Sequence, residues 1–154
     1  MTDELVQRVA DELGIRRTLA RLSRAQDTVD REAYKTCFTE RVLLAATVVI
    51  PDWEPREVSV DELADRYFAE MDKYIFGQHF VTNHIIDVDG DEATCTADLW
   101  CVSALRDGAD PRVTGLGGRY DLKLRRVGGE WRICERSIFE NYSFDAGELL
   151  RHGA

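Results

Sequence analysis

Between residues 78 and 139 the sequence offers four strand-like segments in succession: QHFVTNHIIDV, EATCTADLWCVSAL, GLGGRYDLKLRRV and EWRICERSIF. DGD joins the first two and GG the last two, both tight-turn signals that favour hairpins. Four such strands predict an antiparallel meander, and a meander needs a second layer to bury one of its faces. The preceding residues supply it. Leu5, Val9 and Leu13 keep helical spacing, with Thr2 as N-cap and Asp3 and Glu4 favourable in the first turn. Gly14 is expected to break that helix, and Ile15, Leu19 and Leu22 mark a second one. Asp30 opens a third, DREAYKTCF, with Ala33, Tyr34 and Cys37 facing inward.

ERVLLAATVVI reads as a buried strand, and the two prolines of PDWEP end it in a loop. Ser59 to Glu62 (SVDE) forms a capping box that opens a helix through about Tyr74. The predicted order is therefore three helices, a strand, a helix and four strands. That order means α+β: a cone-shaped barrel in which a curved, mostly antiparallel sheet wraps around the N-terminal helices and leaves an interior pocket. The 154 residues fit one domain, taken as 1–154.

In the last strands Phe80, Ile86 and Val88 alternate with Val81 and Ile85, so both faces carry apolar side chains. A sheet with one wet face should alternate apolar with polar. A second copy of the chain is the simplest cover, and a homodimer or higher homo-oligomer is expected. With 20 basic against 29 acidic residues the net charge is -9, which argues against nucleic acid or an anionic membrane as partner. No apolar run reaches bilayer length, and the acidic amphipathic N-terminus lacks the character of a signal peptide. Cys37, Cys95, Cys101 and Cys134 show no CxxC spacing and read as reduced thiols of a cytoplasmic protein.

The sequence carries no GxxxxGK[ST], no GxGxxG after a strand, no GxSxG and no HExxH, so no nucleotide, flavin or metal cofactor is implied. Gly115, Gly117 and Gly118 enter a strand rather than a helix. Two of the three histidines, His79 and His84, lie in one predicted strand. An odd separation places them on opposite faces unless a bulge intervenes. One is then free to face the pocket and the other the outer surface, while His152 reads as a solvated tail residue. Candidate partners are Asp27 and Asp30. Asp30 precedes a helix and suits an N-cap; Asp27 ends a helix, where its charge opposes the dipole.

The segments QHFVTN, VDGDEA and GGRYDLKLRRVGGEWRICER, with IRRTLARLSRAQDTVDREAYKTCF before them, resemble the SnoaL-like branch of the nuclear transport factor 2-like superfamily. The resemblance runs from about residue 5 to residue 145. It implies the cone fold and a small-molecule pocket. Members include dehydratases, a dehydrochlorinase, isomerases, polyketide cyclases and non-catalytic modules. By the family's pattern Asp27 and His79 would form a catalytic pair, and Arg136, five residues after Trp131, would stabilise charge. Three positions depart from the pattern of individual members: Gln26 replaces a tyrosine, Leu22 a lysine, and Ser103 stands near a second histidine's place. Pocket walls are expected from Leu99, Cys101 and Ser103, from Tyr120 and Leu122, and from Trp53, Tyr67, Phe68 or Met71. The implied function is a cofactor-independent lyase acting on a small, largely apolar cyclic or polyketide-like substrate. An isomerase or cyclase using the same base, or a non-catalytic ligand-binding or oxygenase-partner module, are the alternatives.

Overall fold

The structure, a computed structural model, describes residues 3–47, 53–69, 71–106 and 111–146. Helix α1 spans Asp3–Asp27 and α2 spans Arg31–Thr36; strands β1 (Phe38–Thr47) and β2 (Arg56–Ser59) follow. Helix α3 (Val60–Phe68) and a single 3₁₀ turn (Met71–Lys73) lead into β3 (Tyr74–Asp89), β4 (Glu92–Leu105), β5 (Arg112–Val127) and β6 (Glu130–Asp145). The six strands form one sheet in the order β2-β1-β6-β5-β4-β3. Every pair is antiparallel except β1 with β6. The sheet curves around α1 without closing, which is the α+β cone expected of the sequence. No helix among the described residues is long and apolar enough to cross a membrane.

The N-terminal expectation needs correction in two respects. Gly14 does not end a helix; α1 runs through it. A Cβ at this position would stand 3.0 Å from Trp131 Cδ1, so the glycine lets β6 approach the helix closely. Thr18 fastens the same contact, donating to the Trp131 carbonyl at 2.7 Å. Leu5, Val9 and Leu13 lie on the exposed side of α1, with Leu13 62% exposed. The buried side is instead Asp11, Ile15, Thr18, Leu19 and Leu22. Asp11 is the unexpected member. Its Oδ1 accepts from Arg126 Nη1 at 2.7 Å, Gln7 Nε2 at 3.0 Å and Trp131 Nε1 at 3.2 Å, while Arg126 lies 4.4 Å above the Trp131 ring. This network ties the first half of the helix to the β5–β6 hairpin.

Asp30 caps α2, accepting from the Ala33 N–H at 2.9 Å, and Ser59 caps α3, accepting from Glu62 N–H at 3.1 Å. Replacing Asp30 with Ala should lower unfolding free energy by about 1 kcal/mol in a denaturant titration. Helix α3 stops at Phe68 rather than reaching Tyr74, which already belongs to β3. Thr2, His152 and the end of the predicted first strand, residues 48–50, lie outside the described residues.

Strand β3 overturns the expected parity of the two histidines. Thr82 pairs with Asp98 and Ile85 with Thr96, so Asn83 and His84 together face a single residue of β4. Asn83 has a φ of 52° and its side chain donates to Asp98 Oδ2 at 2.7 Å. This bulge shifts the alternation by one residue. Val81, His84, Ile86 and Val88 thereby fall in phase with His79, toward α1, and Ile85 is left 68% exposed. His84 is therefore not on the outer face: it lines a hollow with Arg16 and Ala20 of α1, and Arg16 reaches its backbone carbonyl at 3.5 Å. Burial, aided by the Arg16 charge, pulls its pKa below the usual value.

Candidate active site

Two cavities of about 510 and 360 Å³ open inside the cone. Their walls share Gln26, Tyr67, His79, Cys101, Leu116 and Glu140. A larger hollow of about 950 Å³ lies near the β3–β4 turn, but its rim is charged. Many of those charges already pair with one another, as Lys123 does with Glu135 and Arg125 with Glu92. The apolar cavities of the cone are the better candidates for a small-molecule site.

Asp27 is the last residue of α1, and the chain turns immediately after it through Val29 at a φ of 54°. That turn presents the carboxylate to the start of the long β3 strand. Its Oδ1 accepts from the His79 backbone N–H at 2.9 Å and meets His79 Nδ1 at 2.8 Å. The carboxylate that looked misplaced at a helix C-terminus is thus compensated across the fold. Both side chains are largely covered, at 13% exposure for His79 and 16% for Asp27. A carboxylate can only accept, so this contact favours the tautomer with the proton on Nδ1 and the lone pair on Nε2. The histidine pKa is raised above 6.5: burial pulls it down, but Cys101 and Asp27 together outweigh burial.

Arg136 lines the smaller cavity. Its Nη1 donates to the Tyr34 hydroxyl at 3.3 Å and its Cζ lies 5.6 Å from the Phe38 ring centroid. A guanidinium stays charged at any ordinary pH. Tyr34 is itself held by Tyr67, stacked at 5.1 Å, and by Phe68, edge-on at 5.4 Å. Gln26, Tyr67 and Tyr120 share the wall of the smaller cavity. Burial pushes the Tyr120 hydroxyl up to about 12 and Tyr67 higher still, so both are neutral donors near pH 7.

Of the other expected wall residues, Tyr67, Met71, Cys101 and Ser103 line the larger cavity, and Trp53, Tyr67, Leu99, Cys101 and Tyr120 the smaller. Phe68 and Leu122 line neither: Phe68 packs edge-on against Tyr34 and Tyr67, and Leu122 is buried in the core. Glu140, Ser143 and Phe144 join the rim unannounced, because β6 runs to Asp145 rather than stopping near Phe139. Arg66 of α3 enters the smaller cavity's wall, a position that only the fold of α3 over β1 reveals. Among the described residues no group of three or more His, Cys, Asp or Glu is arranged to hold a metal ion.

Residues 7–137 match the model of the SnoaL-like domain. No curated protein matches the chain. Among solved structures, the Kfla4162 protein of Kribbella flavida superposes with a TM-score of 0.78 at 19% identity, covering 88% of this chain and 93% of that one. A scytalone dehydratase-like protein of Novosphingobium aromaticivorans DSM 12444 gives 0.77 at 17% identity, covering 90% and 89%. The hexachlorocyclohexane dehydrochlorinase LinA-type3 of Novosphingobium barchaimii LL02 gives 0.74 at 14% identity, covering 94% and 95%. At these identities the superpositions speak to the fold alone. The family model spans most of the sequence, and the chain belongs to the SnoaL-like family.

Proposed function

We propose that this protein is a cofactor-independent lyase that eliminates water, or a similar leaving group, from a small and largely apolar cyclic or polyketide-like substrate. The observation that carries the reading is the Asp27–His79 contact at the junction of two apolar cavities. Asp27 fixes the tautomer, so Nε2 of His79 is the base. It takes a proton from carbon next to a carbonyl, and the electron pair moves to the carbonyl oxygen as an enolate. Arg136 stabilises that oxygen, with the neutral hydroxyls of Tyr67 and Tyr120 as further donors. Collapse of the enolate expels hydroxide from the β-carbon, and the imidazolium returns its proton to it, releasing water. An isomerisation would use the same first step without the departure. Product mass separates the two on a panel of small β-hydroxy ketones: loss of one water supports elimination, and unchanged mass refutes it.

The raised pKa fixes the sign of the pH dependence. Neutral imidazole is the working form, so the rate should climb with pH through an inflection above 6.5 in a kcat/KM profile. The stability term runs the other way. Protonated His79 beside Asp27 favours the fold fully below 6.5, and this is lost as pH rises through the higher folded value.

On the outside of the sheet the Phe80 and Trp100 rings pack against each other, tilted by 33° at 5.4 Å, and both are exposed, as is Ile85. We take this face as the contact with a second copy of the chain. Trp100→Glu should then convert a dimer to a monomer in sedimentation velocity.

A further inference from the structure

The mechanism above leaves one reactive group of the cavity unused. Cys101 on β4 lies directly opposite His79 on β3, and both side chains enter the walls of both cavities. Directly opposed side chains of an antiparallel pair approach closely enough to touch. The thiol's nearness to the ring helps raise the His79 pKa, and Sγ lies 3.7 Å from Ser103 Oγ. With Nδ1 committed to Asp27, the nitrogen left for the thiol is Nε2. The three side chains thus form the series carboxylate, imidazole, thiol that activates sulfur nucleophiles in unrelated proteins.

We propose that Cys101 is a nucleophile of this cavity, paired with His79 and poised to add to a small α,β-unsaturated carbonyl compound. The other three cysteines form a contrast. Cys37 and Cys95 are buried away from the cavities and pushed up to about 11 by burial. Cys134 donates to the Lys123 carbonyl at 3.5 Å and is likewise raised by burial. Cys101 alone among them faces His79.

The addition balances as a proton-neutral step. Nε2 takes the thiol proton, sulfur forms a bond to the β-carbon, and the C=C electron pair shifts to give an enolate oxygen beside Arg136. The imidazolium then protonates the α-carbon, so S–H has added across C=C and reversal releases both partners. The choice of an enone rests on the elimination reading, because loss of water from a β-hydroxy ketone makes one; the activation of the thiol does not.

The experiment is alkylation of the full chain with iodoacetamide at neutral pH, followed residue by residue by mass spectrometry. A parallel arm uses cyclohex-2-enone. Cys101 is expected to react at least ~10-fold faster than Cys134. His79→Gln and, should that variant misfold, Asp27→Asn should each slow Cys101 by about the same factor while leaving Cys134 unchanged. The enone should add one equivalent to the wild type and none to Cys101→Ser. Equal rates at Cys101 and Cys134, or a Cys101 rate indifferent to both variants, overturns the activation of the thiol. Rapid alkylation without an enone adduct overturns the assigned electrophile. Neither readout depends on lyase turnover, so failure of the elimination would register separately.

Discussion

His79→Ala is expected to lower kcat/KM by about 10³-fold, the span usual for a positioned general base. Asp27→Asn should cost about 10²-fold. An amide can still accept the His79 backbone N–H, but it cannot hold the ring proton on Nδ1 as firmly or offset the charge that forms on imidazole. Both effects should fall on kcat more than on KM, since neither residue contributes much binding surface. Folding should survive, because both side chains sit at a cavity wall rather than in the packed layer between α1 and β6. Circular dichroism of the variants checks that; a His79→Ala protein with wild-type rates refutes the assignment.

The second large effect concerns stability. Asp11→Asn should reduce unfolding free energy by about 3 kcal/mol, read from a urea titration. The carboxylate serves three donors through one oxygen and offsets the Arg126 charge over the Trp131 ring. An asparagine of the same shape leaves that guanidinium short of its charge partner, with the exposed Asp91 as its remaining ion pair. The hydrogen bond from Arg126, foremost, holds the Asp11 carboxyl below its ordinary value of 3.8. A depressed carboxyl stabilises the fold above its unfolded value and loses that contribution as pH falls through its folded value. Wild-type stability should therefore drop below about pH 4, and the Asp11→Asn protein should lack that part of the acid loss.

The meander was legible because its turns are spelled out: DGD and GG sit between segments too rich in β-branched and aromatic residues to be anything else. The capping box at Ser59 likewise announced α3. The misreadings share a physical origin, in that the deciding contact lies far along the chain. Gly14 reads as a helix breaker until Trp131, more than a hundred residues later, explains it as a close approach. Asp11 has no local sign of burial, because its partners Arg126 and Trp131 come from the far end of the chain. The bulge in β3 had one local sign, an Asn among strand residues, since Asn tolerates positive φ better than its neighbours. That sign was too weak to reverse the parity of His79 and His84. Strand β2 is four residues long and exists by pairing with β1, so no periodicity could show it. Within the site, Asp27 and His79 followed from the family resemblance, since the strand parity that separated the two histidines did not hold. The holding of Arg136 by Tyr34, and Glu140 on the far end of β6, required the fold.

The claim on which the rest depends is that Asp27 keeps the proton of His79 on Nδ1 and so leaves Nε2 as the base. Nitrogen NMR of the ¹⁵N-histidine-labelled protein, titrated with pH alongside Asp27→Asn, reads this directly. Wild-type His79 should carry its hydrogen on Nδ1 and titrate above 6.5, and Asp27→Asn should lower that value and mix the tautomers. A His79 protonated on Nε2, or one whose titration is the same with and without the Asp27 carboxylate, would contradict it.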